Sequence, residues 1–179
     1  MIGDITQRRR KRFRRAELPR RIVPVMRDVE TLRLVYQHRF LTSEHLTKLV
    51  DGSAQKRRKR LRDLFDNGYL DLPVEQRDRF TAGCRPYVFG LGNRGAALLS
   101  EVDGIPRPTG DWTDKNRTYT RMNLEHTLLI SDVMVSIRLA CRERGNVRLI
   151  DQDEILAAAP EETRRRRYPL RMTVEAREG

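Results

Sequence analysis

Residues 53–67 read SAQKRRKRLRDLFDN, and how this stretch is taken decides the fold. Ser53 follows the turn pair Asp51-Gly52 and offers a hydroxyl to cap a helix. At the other end, Asn67-Gly68 supplies a left-handed stop, because glycine takes positive φ without a Cβ clash. Turning Leu61, Leu64 and Phe65 inward on a helical wheel brings Ala54 to the same side and sets Arg57 and Arg58 on its flanks. Gln55, Lys56, Lys59, Arg60, Arg62 and Asp63 then face outward. Between 53 and 62 lie six basic side chains and no acid, although neighbouring helix positions normally gain from mixed signs.

This helix needs partners, and the sequence on either side provides them. Upstream, Val25, Val29, Leu32 and Tyr36 recur at spacings of three and four, with Leu34 and Val35 widening the stripe, so a helix is predicted over 25–38. After Phe40 and Leu41, Thr42 or Ser43 can cap a second short helix through Val50, with Leu46, Leu49 and Val50 on its buried face. Downstream, Tyr69 to Val74 and Tyr87 to Leu91 read as paired strands. The polar run from Glu75 to Pro86, with its turn at Gly83, suits a hairpin tip. Gly92 to Ser100 reads as a short closing helix carrying Ala96, Leu98 and Leu99.

The expected fold is therefore α+β: a winged helix-turn-helix over 24–101, with a basic N-terminal arm at 1–23 and a helical C-terminal extension. The arm contains Arg8, Arg9, Arg10, Lys11, Arg12, Arg14 and Arg15, broken only by Phe13, and is expected to stay disordered until it meets phosphate. Residues 102–118, with Gly104, Pro106, Pro108 and Gly110, read as a linker. In 119–179, Leu124, Thr127, Leu128, Ser131, Val135 and Leu139 support a long helix to about Glu143; strands are expected near 147–150 and 170–174. This last region reads as part of something larger, or as a partner-binding extension.

Thirty-seven Lys and Arg against 25 Asp and Glu give a net charge of +12, which favours a polyanionic partner. No apolar stretch is long enough to cross a membrane, and a cytoplasmic protein is expected. On the third helix, Gln55, Lys56 and Lys59 are the choice for groove-facing positions, Arg60 and Arg62 for flanking phosphates. Arg57 is a further candidate, its stem on the core rim and its charge toward solvent or DNA. Arg77, Arg79 and Arg85 of the hairpin would reach an adjacent minor groove or backbone. Tyr69, Tyr87 and Phe89 suit core or cross-strand contacts better than base stacking.

Enzyme readings are weaker. His38 and His45 lack converging cysteines or carboxylates, and Glu125-His126 does not repeat a metalloprotease spacing. Asp151, Asp153 and Glu154 have no recognisable catalytic partner, and Gly90, Gly92 and Gly95 form no phosphate loop. No catalytic residue, metal or cofactor is expected. The partner expected is double-stranded DNA, in plasmid replication or maintenance or in transcriptional control. Self-pairing through the helix at 124–143 is open, and two alternatives stand beside DNA binding: an adaptor in a replication or mobilisation complex, and a DNA-processing enzyme using the C-terminal region.

Four stretches carry a family resemblance: LRLVYQHRFLTSEHLTKL at 32–49, RLRDLFDNGYL at 60–70, RPYVFGLGNRGAALL at 85–99 and LEHTLLISDVMV at 124–135. Together they resemble the replication-relaxation family of plasmids, mobile elements and chromosomes of high-GC bacteria. The resemblance implies a winged-helix DNA-binding protein associated with plasmid replication or DNA relaxation. Family members continue into a larger C-terminal region with a proline-aspartate segment, which this sequence does not show.

Overall fold

The structure, a computed structural model, describes residues 12–77, 85–104 and 110–166. Two compact units divide the chain, residues 1–136 and 137–179. The first is α+β, mostly helical with one small antiparallel sheet. In chain order it holds α1 (Met26–His38), β1 (Phe40–Thr42), α2 (Ser43–Leu49), α3 (Ala54–Asp66), β2 (Leu70–Asp71), β3 (Val88–Leu91), α4 (Asn93–Asp103), α5 (Trp112–Arg117) and most of α6 (Arg121–Arg144).

α1 starts where Asp28 accepts a hydrogen bond from the Val25 N–H at 2.8 Å, an acid in the positive first turn. Its inward face is Val29, Leu32 and Val35, and Leu46, Leu49, Leu61, Leu64 and Leu99 meet them in one core. Each such leucine, fully buried, contributes about 2 kcal/mol. Thr42 caps α2 by accepting from the His45 N–H at 3.1 Å, while the Thr42 N–H donates to His45 Nδ1 at 3.3 Å. Ser53 stands at the N-cap position of α3, but its side chain makes no capping bond. α3 ends as expected, at Asn67 followed by Gly68 with φ of 81°.

The sheet order is β1-β3-β2, with Phe40 opposite Gly90 and Leu70 opposite Leu91. β1 adds to the expected elements: Phe40 and Leu41, where the sequence suggests no strand, are both fully buried as a strand beside β3. The strand expected over 69–74 narrows to Leu70–Asp71. Beyond it, the side chain of Gln76 takes over the role of a strand partner, donating to Val88 O and accepting from Val88 N–H, both at 2.9 Å. Gly90 is required by packing, since a Cβ there would lie 2.8 Å from the Phe40 ring. At Gly95 a Cβ would lie 2.2 Å from Tyr69 O, so α4 can approach the strand only without a side chain.

The linker expected over 102–118 contains α5. Trp112 is buried, edge-on to Tyr36 at 5.9 Å, and Asn116 donates to Leu91 O at 3.0 Å. Arg39, in the left-handed region at φ of 65°, lays its guanidinium between the rings of Phe40, Trp112 and Tyr119. Such aromatic contacts gave no periodic signal in a segment this rich in glycine and proline. α6 packs Leu124 and Leu128 on Phe40 and Val88, and Ser131 donates to Phe40 O at 2.9 Å.

In the second unit, the strand expected near 147–150 is absent; that stretch is irregular and leads into α7 (Gln152–Ala158) and α8 (Glu161–Arg165). Asp151 caps α7 by accepting from the Glu154 N–H at 3.0 Å, which favours a helix start over strand continuation. The strand expected near 170–174 lies outside the described residues. No described helix is long and apolar enough to cross a membrane.

Candidate nucleic-acid interface

The six cations of α3 divide into two sets. Lys56, Arg58 and Lys59 are exposed, as are Gln55 and Ala54. Ala54 was expected inward, but the first turn of α3 projects past the core and leaves it in solvent. Arg57, Arg60 and Arg62 are held by the protein itself. Arg57 is 6% exposed and donates to Asp51 O. Burial, and after it the charge of Arg27, hold its guanidinium below the usual arginine value.

Arg60 does not face outward alone. It grips Asp28 with two bonds, Nε to Oδ1 at 3.0 Å and Nη2 to Oδ2 at 2.6 Å, and it also donates to Val23 O. Asp28 is 1% exposed, so this pair joins α3 to the start of α1. The Asp28 hydrogen bond raises Arg60 above the usual arginine value. Arg62 pairs with Asp66 at 3.1 Å one turn on, and donates to the carbonyls of Arg12 and Arg14.

Those carbonyls belong to the arm, which in its described part is not disordered. Residues 12–23 cross the outward side of the last turns of α3. Arg15 donates to Phe65 O and Leu70 O and pairs with Asp71 at 3.0 Å. The Ala16 N–H donates to Asp66, and Asn67 donates to Arg20 O at 2.9 Å. The acids at 66 and 71 draw Arg15 inward against the repulsion of its basic neighbours. Arg12 and Arg14 remain exposed beside α3. Arg8, Arg9, Arg10 and Lys11 lie outside the described residues.

Arg77 and Arg85 are exposed at the two ends of the excursion between β2 and β3, and Arg79 and Gly83 lie outside the described residues. Arg77 sits over the Phe13 ring at 5.9 Å, and Phe13 is edge-on to Tyr87 at 5.9 Å. The arm and the base of the excursion therefore meet beside α3. Tyr69 and Phe89 are buried, as strand aromatics should be.

His45 has a carboxylate partner that spacing did not reveal. Its Nε2 lies 2.7 Å from Asp132 of α6, while Nδ1 is occupied by the Thr42 N–H. Burial lowers its pKa, and Asp132 opposes that shift. Glu154 pairs with Arg148 at 2.5 Å, Asp151 is engaged in its cap, and the Asp153 side chain lies outside the described residues. His126 is exposed on α6. Among the described residues no cluster of three or more His, Cys, Asp or Glu is placed to hold a metal ion.

No curated protein and no solved structure matches this chain. A family model does, over residues 32–168, a span that takes in α1 from Leu32 onward, the sheet, α3 and the whole of α6. The chain thus belongs to the replication-relaxation family.

Proposed function

We propose that residues 24–101 are a winged helix-turn-helix that binds double-stranded DNA, with the exposed N-terminal half of α3 in the major groove. α2 and α3 serve as the helix-turn-helix pair and the β2–β3 excursion as the wing. The observation that carries this reading is the sorting of charge on α3. Internal acids and carbonyls absorb Arg57, Arg60 and Arg62, whereas Gln55, Lys56, Arg58 and Lys59 project together with no acid among them. Exposed cations of one sign on one helix suit a polyanion of matching width. Arg12 and Arg14 on the arm and Arg77 and Arg85 at the wing extend the same sign to either side. Family membership supports a replication-linked role for the binding, in plasmid replication or mobilisation.

The test is a salt-controlled titration of a fluorescent duplex with the full chain and the variant Lys56→Gln/Arg58→Gln/Lys59→Gln. Affinity is expected to fall at least about a hundredfold at 0.15 M salt, and the slope of log affinity against log salt to drop by between two and three. Equal affinity for both proteins eliminates this face as the DNA surface.

A second reading, self-association, is favoured by one observation. α6 buries Leu124, Leu128 and Val135, but on its other side Met122, Leu129, Ile130 and Val133 are all more than half exposed. An apolar stripe at helical spacing suits a matching helix, and a two-fold pair of such modules would read symmetric half-sites. Sedimentation of the full chain and of Leu129→Glu/Val133→Glu tests it. A monomer at all concentrations for both proteins rules it out.

A further inference from the structure

We propose that the cleft between the start of α1 and the first turn of α3 is a phosphate seat. The identity of its occupant, a backbone phosphate of DNA, rests on the function proposed above; the seat itself does not.

The cleft has a volume of about 440 Å³ and is open to solvent. Four cations line it, Arg27, Lys56, Arg57 and Arg60, against two carboxylates, Asp28 and Asp51. Asp28 and Arg60 are committed to one another, so their charges cancel inside the protein, which leaves Arg27, Lys56 and Arg57 against Asp51. Arg27 and Lys56 are exposed, and no side-chain partner for either is found among the described residues.

Three separate features belong to this cleft. First, α3 begins here, and the N–H groups of a helix's first turn have no intrahelical partners. Ser53 does not cap them, and no acid stands in the first turn of the helix itself. Second, the guanidinium ends of Arg57 and Arg27 lie near Gly52. Arg57 Nη2 and Arg27 Nη1 lie 3.8 and 3.9 Å from where a Cβ on Gly52 would stand. Burial, and after it the charge of Arg27, lower the Arg57 pKa, against the opposing charges of Asp28, Glu30 and Asp51. Third, the Nε of Arg57 is buried and has no hydrogen-bond partner, although the residue is only 6% exposed. An orphaned donor of this kind costs about 1–3 kcal/mol, and an oxyanion oxygen is the acceptor such a donor lacks.

Gly52 has φ of 120°, a conformation that side-chain-bearing residues rarely adopt, and it keeps the floor of the cleft bare. A tetrahedral oxyanion can accept from helix N–H groups and guanidinium forks at once, which a chloride cannot match. The volume leaves room for a phosphate with its flanking sugars rather than for the bare ion alone. From this position a backbone phosphate would fix the register of α3 in the groove, while Gln55 and Lys59 remain free to meet base edges.

The experiment follows backbone amide shifts of the full chain. Inorganic phosphate is titrated against chloride at matched ionic strength, for the wild type and for Arg27→Gln/Lys56→Gln. Both substitutions fall on exposed side chains, so the fold is retained. The expected result is a saturable shift of the amides of residues 52–57 with phosphate only, weakened at least about fivefold in the variant, together with a salt slope for duplex binding lower by about one. Phosphate shifts that are linear and equal to those of chloride, or unchanged in the variant, overturn the seat. Duplex binding that shifts the amides of residues 55–59 but leaves those of 52–54 untouched also overturns it, while DNA binding by α3 stands. Saturable phosphate binding without affinity for any duplex preserves the seat and removes DNA as its occupant.

Discussion

Arg60 and Lys59 are neighbours in a run of like residues, yet the structure assigns them different work, and exchanging each for glutamine separates the two. Arg60→Gln removes both charge-assisted bonds to Asp28, which is 1% exposed and cannot recover them from water. Breaking a buried pair from one side costs about 3–5 kcal/mol. Because the Arg60 side chain is itself 28% exposed, the low end applies, about 3 kcal/mol. For a unit of this size that lowers the thermal midpoint by roughly 10 °C. Lys59→Gln touches no internal partner among the described residues and should leave the midpoint within about 2 °C. Its effect should fall on duplex affinity, as one cation lost from the groove-facing side: about fivefold at 0.15 M salt, with the salt slope reduced by about 0.9. Differential scanning fluorimetry and fluorescence anisotropy on the same preparations read both quantities. The reasoning is refuted if Arg60→Gln keeps the wild-type midpoint, or if Lys59→Gln binds duplex with an unchanged slope.

Three further outcomes are expected. Arg15→Gln should cost about 1–3 kcal/mol in a denaturant titration, since it strips bonds from Phe65 O, Leu70 O and Asp71, whereas deleting residues 1–11 should lower the salt slope of duplex binding. Gly95→Ala should destabilise by about 3 kcal/mol or more, because the new methyl would meet Tyr69 O at 2.2 Å; a wild-type midpoint in that variant would show that α4 can move away from the strand at little cost. For His45 the pKa is depressed in the folded chain, so the unfolded state binds the proton more readily: stability is intact above the ordinary histidine value of 6.5 and falls as pH drops below it. His45→Gln keeps an acceptor for the Thr42 N–H and should flatten that decline between pH 7 and 5, measured as unfolding free energy against pH.

The helices of the first unit were legible because each carries its own periodic stripe and its own ends. α1, α2, α3, α4 and α6 fall within a few residues of the expected spans, and Asn67-Gly68 stops α3 as glycine chemistry requires. What stayed hidden depends on residues far apart in sequence. β1 has three residues, too few to alternate, and is recognisable only through β3 some fifty positions later. α5 lies in a stretch rich in turn formers and is held by Trp112 against Tyr36 and by Asn116 against Leu91, contacts that no local pattern announces. The basic face was visible as composition, but not its division. Nothing in the run KRRKRLR separates the arginines that meet Asp28, Asp66 and Asp51 from the side chains left in solvent, because those partners sit on α1, on the end of α3 and in the preceding turn.

Gln76 and Val88 sit at the two feet of the excursion that leaves the sheet after β2 and returns as β3. Since one amide satisfies both main-chain groups of Val88 on the side away from β1, that margin of the sheet is sealed and offers no template to a neighbouring chain. Closing the feet in this way fixes the start of β3, and with it the alignment of Phe40 with Gly90.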